Sequence, residues 1–297
     1  MKRRKFIQDS SLLALSAGVF GKIKWDGQKF IGNDPTTTDI LGPFYRPGAP
    51  FKTDLVQTGT KGEILHFNGT VFGKDGKTPL NGALVEIWHC NEKGIYDNTS
   101  DEYVYRASFE TGADGKYNFR TILPVSYTVS ATDVRPAHIH MRISGNKGTQ
   151  DLVTQVYFKG DKYIPKDFSA SDPRSLNRIL DFSTNNKKEK VLKFDIYLKD
   201  EYVLDAAAFK KIEGLYEMNN KSLAEFYKDG DQLFAKINGQ IMEALDYKGS
   251  NTFIGGLDYV VAKFELLGDG SAKVKITLKE NEIQNLEGTK LLKYPQK

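Results

Sequence analysis

The chain of 297 residues contains only one cysteine and four histidines. The single cysteine, Cys90, excludes an internal disulfide and a metal site built from cysteines. It follows Trp88 and His89 in an apolar run, which favours a buried and inert thiol. A catalytic pair of Cys90 and His89 is the less favoured alternative, because adjacent residues of a strand face opposite ways.

Strong net charge and long apolar runs are absent as well. The net charge is +4, and no basic stripe carries interleaved aromatic residues, so nucleic acid is not an expected partner. No apolar run reaches the roughly 20 residues that a transmembrane helix needs, so no transmembrane anchor is expected. The composition is that of a globular protein, and the length favours about two domains.

The amino terminus has the composition of a targeting segment. Lys2 to Ile7 form a basic region with paired arginines, and the apolar stretch from Leu12 to Phe20 suits the core of a signal peptide. The segment resembles a twin-arginine export signal, which carries proteins that have already folded. Residues 1–30 are therefore predicted to direct a bacterial protein to the periplasm or the extracellular space. An uncleaved, basic amphipathic start is the alternative.

Short segments of alternating or apolar residues, separated by turn signals, predict an all-β protein. Because no long helical period interrupts them, they favour an antiparallel β-sandwich over residues 31–203. A short helix at Ala206 to Leu215 and evenly spaced strands then predict a small β-meander or barrel over residues 204–297. The strands expected in the sandwich include Ile64 to Phe72, Ala83 to Cys90, Lys116 to Arg120, His138 to Ser144, Leu152 to Phe158 and Val191 to Leu198.

The segment Arg135-Pro136-Ala137-His138-Ile139-His140 carries the most specific chemistry. Alternate residues of a strand point to one face, so His138 and His140 would lie on the same side, about 7 Å apart at the backbone. That spacing suits two ligands of one metal ion. Two histidines that share a face without binding a metal are the alternative, because the motif is short.

Further ligands cannot be chosen by position alone. Tyr96 lies just beyond the strand that contains Trp88, and Tyr127 lies in the loop that leads to Arg135. The chain has 15 tyrosines, and for each of them a packed aromatic ring is the more common role.

Several segments in sequence order resemble the intradiol ring-cleavage dioxygenases, the family of catechol, hydroxyquinol and protocatechuate dioxygenases. The resemblance covers about residues 36–199. Its segments are Leu41 to Tyr45, Gly82 to His89 followed by Gly94-Ile95-Tyr96, Tyr117 to Pro124 followed by Tyr127, Arg135 to His140, and Thr154 to Asp161.

The resemblance implies that Tyr96, Tyr127, His138 and His140 bind a non-haem Fe(III), a hard ion that suits two phenolates and two imidazoles. Tyr127 and His138 would be axial ligands, whereas Tyr96 and His140 would be equatorial. Substrate would displace Tyr127, which would then accept a substrate proton as a general base. The implied reaction uses O2 to cleave a catechol-type ring between its two hydroxylated carbons and gives a cis,cis-muconate-type diacid.

The same resemblance implies roles for residues around the metal. Arg135 would stabilise negative charge on the substrate, and Gln155 would orient a histidine or the substrate. Tyr45 and Arg46 would line the pocket. For Arg135 a structural salt bridge is the alternative.

The sequence also departs from the family pattern. Val125-Ser126-Tyr127-Thr128 replaces the usual Pro-Gly-x-Tyr-Pro, and the helical segment that forms the dimer of catechol 1,2-type members is missing, which leaves a homo-oligomer open. The C-terminal domain, which weakly resembles small lipocalin-like barrels, is an addition to the family. Two other functions stay open: an exported, non-catalytic β-sandwich binding module, and a zinc or copper site at His138 and His140.

Overall fold

The computed structural model describes residues 23–25, 30–32, 35–130, 133–145, 148–200, 204, 206–268, 270–279 and 283–292. Most of the predicted targeting segment, residues 1–30, and the predicted domain boundary near residue 203 lie outside these ranges. Ahead of the sandwich, β1 (Ile23–Trp25) pairs antiparallel with β2 (Phe30–Gly32). Within the described ranges, no helix is both long and apolar enough to cross a membrane.

The sandwich region runs from β3 to β14, in which β7 and β8 form a separate two-stranded hairpin. The strands predicted at Ile64 to Phe72, His138 to Ser144 and Leu152 to Phe158 are confirmed with the same bounds. The strand predicted at Val191 to Leu198 is instead broken, because the Phe194 carbonyl turns away to accept a hydrogen bond from the Tyr117 hydroxyl (2.7 Å). The strands are β3 Ile64–Phe72, β4 Leu84–Trp88, β5 Arg106–Glu110, β6 Lys116–Ile122, β7 Tyr127–Thr128, β8 Val134–Arg135, β9 His138–Ser144, β10 Leu152–Phe158, β11 Ile179–Leu180, β12 Ser183–Thr184, β13 Lys190–Lys193 and β14 Ile196–Tyr197.

Two sheets form the sandwich. One has the order β11-β10-β9-β4-β5; the other has the order β12-β13-β3-β14, and β6 also pairs with β3. Most pairs are antiparallel, as predicted, but β11 runs parallel to β10, and β13 and β14 run parallel to β3. Parallel neighbours need a long connection, and between β10 and β11 it contains 3-10 helices at Ile164–Lys166 and Pro173–Arg178.

Alternation along the strands places the sandwich core. Ile139, Met141 and Ile143 of β9 face the core cluster between the sheets. The opposite face of this sheet is also covered, because β10 is buried at every position and β9 at every position before Ser144. Sheets that are buried on both faces lack the usual polar alternation, so polar side chains on the second face of β9 and β10 require a specific reason.

Helix α1 (Ala206–Ile212) precedes a closed eight-stranded barrel, which confirms the predicted barrel. The helix ends before the predicted Leu215, because Gly214 already pairs with Phe226 as the first residue of a strand. Large apolar rings fill the barrel, among them Tyr216, Phe226, Phe253 and Phe264. The strands are β15 Gly214–Met218, β16 Leu223–Asp229, β17 Gln232–Ile237, β18 Gln240–Tyr247, β19 Thr252–Gly255, β20 Val260–Leu266, β21 Ala272–Lys279 and β22 Ile283–Lys290.

The barrel packs against the sandwich through an apolar cluster, in which Phe234 lies beside Tyr45, and through charged and polar contacts. Arg142 Nη1 of β9 lies 3.1 Å from Asp229 Oδ2 at the end of β16. Arg174 Nη1 lies 3.0 Å from Asp258 Oδ2, and its Nη2 donates to the Leu257 carbonyl (2.7 Å). The two domains therefore share an interface that no pattern in the sequence predicted.

Candidate metal centre

His138 and His140 lie on the second face of the sheet, opposite the sandwich core. Both side chains are buried at 1% exposure. In the register of the sheet, Tyr157 lies opposite His138, while Gln155 and Trp88 flank His140 on its two sides. Side chains that lie opposite each other on one face are neighbours, so the strand pairing alone brings these five residues together.

The candidate ligand atoms converge on one point. His138 Nε2 lies 3.1 Å from His140 Nε2 and 3.2 Å from the Tyr96 hydroxyl oxygen. Two ligands at right angles around an ion, each at about 2.1 Å, would be about 3 Å apart. The spacing of the two histidine nitrogens and the Tyr96 oxygen therefore suits a single metal ion.

Tyr127 reaches the same point from a short hairpin. Its strand, β7, pairs with β8 so that Tyr127 lies opposite Arg135. The Tyr127 ring centroid is 5.6 Å from that of Tyr96 and 5.6 Å from that of His138. Gly94, at φ +77°, makes this approach possible, because a Cβ there would lie 2.7 Å from the Tyr127 Cβ. The predicted tyrosine pair and histidine pair are thus brought together.

Both histidines are arranged as neutral ligands. His138 Nδ1 lies 2.7 Å from the Pro136 carbonyl, so Nδ1 carries the proton and Nε2 presents its lone pair. Burial, assisted by Arg135, lowers the pKa of His138 to about 3. Burial and the neighbouring His138 likewise hold the pKa of His140 well below its usual value. The His140 ring stacks on Trp88, with ring centroids 4.9 Å apart and planes 7° apart, which fixes its orientation.

The donor set fits a ferric ion. Burial raises the pKa of Tyr96 well above its usual value and also raises the pKa of Tyr127, so both phenols are neutral unless a cation binds beside them. A bound metal ion reverses this balance and favours the phenolates. Within the described ranges, no group of three or more His, Cys, Asp or Glu side chains could hold a metal. A metal at the histidine pair would therefore depend on the tyrosines.

Arg135 makes several hydrogen bonds beside the candidate ligands through its Nε and Nη2. Its Nε lies 2.9 Å from Asp167 Oδ2, and its Nη2 donates to Gln155 Oε1 (3.3 Å) and to the Tyr157 hydroxyl (3.3 Å). Although burial lowers it, the pKa of Arg135 rises well above its usual value because of Tyr157 and Asp167. The structure thus joins the predicted Arg135 and Gln155 to each other and places both next to the histidines.

Sequence reasoning missed the polar network behind Arg135. Asp167 pairs with Arg135, while Arg178 and Asp39 form a second buried ion pair. Arg178 and Arg135 lower the pKa of Asp39 despite the opposing effect of burial, and Asp39 Oδ2 accepts from the Tyr157 hydroxyl (2.9 Å). These residues are too far apart along the chain for a spacing signal, although Tyr157 lies within a segment of the family resemblance.

The two predicted pocket residues lie in different surroundings. The Tyr45 hydroxyl accepts from Arg142 Nη1 (3.0 Å), and its ring packs edge-on against Trp88. Arg46 donates to the Ser100 carbonyl and lies over the Tyr103 ring. Their neighbour Phe44 instead stacks on Tyr96, with centroids 4.3 Å apart.

The surroundings of Cys90 and His89 indicate a structural role for both side chains. Burial raises the pKa of Cys90 to about 11, and its Sγ lies 3.4 Å from the Val125 carbonyl. Burial lowers the pKa of His89 to about 4, and its ring nitrogens contact the Cys90 carbonyl and the Thr121 hydroxyl. The expected buried thiol is confirmed.

Comparison with known proteins places this site in a family. The family model described as Dioxygenase matches residues 40–200, more than half of the chain. Catechol 1,2-dioxygenase 2 of Acinetobacter lwoffii is 40% identical over 157 residues, which cover 46% of this chain and 56% of that protein. 6-Chlorohydroxyquinol 1,2-dioxygenase of Cupriavidus pinatubonensis is 35% identical over 185 residues, which cover 56% of this chain and 64% of that protein. The chain thus spans about three fifths of the length of these curated relatives.

A solved structure agrees with these matches. Catechol 1,2-dioxygenase from Pseudomonas arvilla C-1 superposes with a TM-score of 0.51 and 28% identity, over 68% of this chain and 70% of that one. The region matched by the family model contains the four converging residues Tyr96, Tyr127, His138 and His140, whereas the barrel lies beyond it. The chain therefore belongs to the intradiol ring-cleavage dioxygenase family.

Proposed function

We propose that the protein is a non-haem Fe(III) dioxygenase that cleaves a catechol-type ring between its two hydroxylated carbons. Both atoms of O2 enter the product, a cis,cis-muconate-type diacid. The observation that carries the proposal is that His138 Nε2 lies within 3.2 Å of both His140 Nε2 and the Tyr96 oxygen, with the Tyr127 ring beside them. When bound, the ferric ion supplies Lewis acidity that lets a chelated catecholate react with dioxygen.

The surroundings favour an aromatic substrate with two adjacent hydroxyls. Phe44, Leu41 and Val125 belong to one apolar cluster with Tyr96 and Tyr127, which suits a planar ring. The relatives are named for catechol and 6-chlorohydroxyquinol, and both compounds carry adjacent ring hydroxyls.

Residues of the chain would accept a substrate proton and stabilise negative charge during the reaction. Tyr127 is less buried than Tyr96 and belongs to a strand of two residues, so it is the tyrosine that can leave the ligand set and accept a catechol proton. His138 and His140 stay neutral and keep their orientation through Pro136 and Trp88. Arg135 keeps its positive charge close to the ligands and would stabilise negative charge that develops on the substrate.

A visible absorption spectrum of the purified full chain, with iron analysis, tests this proposal. We expect a tyrosinate-to-iron band that shifts when catechol is added without oxygen, and then O2 consumption with muconate formation on aeration. Guaiacol, in which one hydroxyl is methylated, is the matched control and should give no turnover. A protein that stays colourless after ferric reconstitution would overturn the proposal in favour of the non-catalytic binding module.

We also propose that the protein is exported after folding. The support is the paired Arg3 and Arg4 ahead of the apolar stretch from Leu12 to Phe20. Export of a folded chain would allow iron to be loaded before transport. Replacing Arg3 and Arg4 together with lysine should leave the protein in the cytoplasm while its iron band is unchanged. Unaltered export of this variant would contradict the proposal.

A further inference from the structure

The segment from Asp39 to Tyr45, here called the arm, lies between the metal centre and the barrel. The Asp39 amide donates to the Val153 carbonyl of β10 (2.9 Å), which anchors the arm to the second face of the sheet. At Gly42, with φ +76°, a Cβ would lie 3.3 Å from His140 Cε1, so the arm backbone passes directly over this ligand. Small displacements of the arm would therefore change the packing around His140 at the candidate metal centre.

A single peptide group of the arm is held from both sides. The Ile40 carbonyl accepts a hydrogen bond from Gln155 Nε2 (2.8 Å). The amide of the same peptide group, Leu41 N–H, donates to Glu243 Oε1 (3.0 Å). Gln155 belongs to β10, and Glu243 belongs to β18 of the barrel. The Ile40–Leu41 peptide thus connects a barrel carboxyl group to a residue of the active site.

Gln155 depends on this peptide for its orientation. Its Nε2 donates to Ile40, which leaves its Oε1 to accept from Arg135 Nη2 (3.3 Å), with the Tyr157 hydroxyl oxygen 3.1 Å away. If the Ile40 carbonyl moved, Gln155 Nε2 would lose its acceptor, and the orientation of the Gln155 side-chain amide would no longer be fixed. The side of Arg135 that faces Gln155 would then lose its fixed acceptor.

The barrel is shaped to receive this contact. Glu243 is 6% exposed, and its Oε1 also accepts from the Ala244 amide (3.0 Å). Glu243 pairs with Ala235 of β17, but β18 and β19 pair only through Asp246 and Tyr247, so Glu243 lies beyond the part of β18 that pairs with β19. At Gly255 a Cβ would lie 2.6 Å from Glu243 Cγ, so the absence of a side chain makes room for the carboxyl group.

The neighbouring loop of the barrel fits closely around the arm. Gly256, Leu257 and Asp258 have φ values of +48°, +56° and +66°. Consecutive residues in the left-handed region are costly and persist where the surrounding structure fixes them. A Cβ at Gly256 would lie 2.4 Å from Ile40 Cγ2, so this loop contacts the arm next to the bridging peptide.

We propose that Glu243 is a positioning residue for the metal centre, which it serves by holding the Ile40–Leu41 peptide against Gln155. The barrel is then a structural part of the active site of the dioxygenase. This inference rests on the proposed function for its effect on the reaction, whereas the contact itself exists without metal. The acceptor oxygen of Glu243 is what matters, so an amide should replace it and an apolar side chain should not.

The test compares Glu243→Gln with Glu243→Met in the full-length protein. Amide hydrogen exchange of the arm, measured on metal-free protein, should be faster in E243M at Leu41 and unchanged in E243Q. With iron bound, E243M should lower kcat/KM for catechol about 10- to 100-fold, as expected when the support of an active-site group is removed. E243M should keep its iron content, and E243Q should stay within about threefold of the wild type.

A second pair of variants covers the case in which E243M does not fold. Gly256→Ala would push the loop against Ile40, whereas Gly249→Ala has the same kind of positive φ (+93°) and meets nothing within 4 Å. G256A should accelerate Leu41 exchange and lower kcat/KM, and G249A should change neither. Unchanged Leu41 exchange or unchanged kcat/KM in both E243M and G256A would overturn the proposal, as would an E243Q protein as impaired as E243M. A wild-type protein without the tyrosinate band would defeat the proposed function instead, while the exchange data would still decide the contact.

Discussion

In the sandwich sheet and in the barrel, alternate strand residues place different kinds of side chain on a buried face. Inside the barrel, the inward positions carry rings such as Phe226 and Phe264, whose centroids are 5.1 Å apart. On the covered face of β9, the same alternation carries His138 and His140 with pKa values far below their usual range. An alternating strand therefore specifies which residues share a face but not whether that face is inert. The chemistry of the alternate residues, and what covers them, makes the difference.

Several buried polar groups of the sandwich have specific partners, although His140 Nδ1 and Trp88 Nε1 have no hydrogen-bond partner among the described residues. His138 is held by Pro136, and Arg135 by Asp167. Such groups are costly to bury without partners, so their concentration on one face points to function rather than to packing. In the core inside the barrel, by contrast, removal of a ring such as Phe264 should lower stability without affecting iron binding. Four predictions test this contrast.

The largest effect is expected from removal of a candidate metal ligand. Replacing His140 with alanine should abolish iron binding and lower kcat/KM by about 10³-fold or more, because even residues that only support a metal ligand typically contribute 10- to 100-fold. Iron analysis and the visible spectrum measure the first effect, and O2 consumption measures the second. His66, which is partly exposed and paired with Glu189, gives the matched control H66A, which should keep iron and activity. Full activity of H140A would remove His140 from the ligand set.

The barrel should respond in stability. Phe264→Ala leaves a cavity among Tyr216, Phe226 and Phe253 and should lower the free energy of unfolding by about 3–5 kcal/mol. At a temperature where the variant is folded, its iron band should match the wild type. Phe51, which is 71% exposed, provides the control F51A, with an expected change within about 0.5 kcal/mol. Loss of iron from folded F264A would show that the barrel core and the metal centre are not separable.

Much of the sandwich half could be predicted from sequence. The alternation of His138 and His140 placed them on one face, and the segment resemblance selected Tyr96 and Tyr127 among 15 tyrosines. Position alone could not have made that selection, because Tyr127 meets Tyr96 through a hairpin and through the space left by Gly94. The local pattern predicts which side chains share one face of a strand. Only the family resemblance indicated that residues far apart in the sequence meet at one site.

Contacts between the domains could not be predicted. Leu41 and Glu243 are separated by 202 positions, and neither lies in a motif that indicates a contact with the other. Asp167 escaped prediction for the same reason, since its only signal is a lone carboxylate in a loop. Buried ion pairs depend on tertiary geometry, which a single sequence does not display.

A third prediction separates chemistry from packing at Arg135. Arg135→Lys keeps the charge but loses the planar set of donors that reaches Asp167, Gln155 and Tyr157, so kcat/KM should fall about 10²-fold while iron stays bound. Steady-state kinetics and the visible spectrum check both parts. Arg120→Lys, at an exposed pair with Asp54, is the control and should behave as wild type. Wild-type kinetics in R135K would leave Arg135 a purely structural partner of Asp167.

The smallest expected effect concerns a carboxyl pair that joins the two domains. The Asp151 amide donates to both carboxyl oxygens of Asp231 (3.1 Å each), and Asp231 lies in the turn between β16 and β17. Burial and the neighbouring Asp151 and Asp246 raise the pKa of Asp231 to about 7. The folded protein then holds a proton that the unfolded chain releases near pH 4, so this group should lower stability as pH rises from about 4 to about 7.

Asp231→Asn should remove that dependence. At pH 8 the variant should be more stable than the wild type by about 1 kcal/mol, and at pH 4.5 the difference should be much smaller. Urea unfolding at both pH values measures it, with Asp181→Asn, at an exposed pair with Lys159, as the control that shows no gain. An advantage of D231N that is equal at both pH values would mean that packing, rather than proton binding, accounts for it. The interface between sandwich and barrel would then be as insensitive to protonation as the barrel core. Buried groups with functionally important protonation would in that case be confined to the covered face of β9.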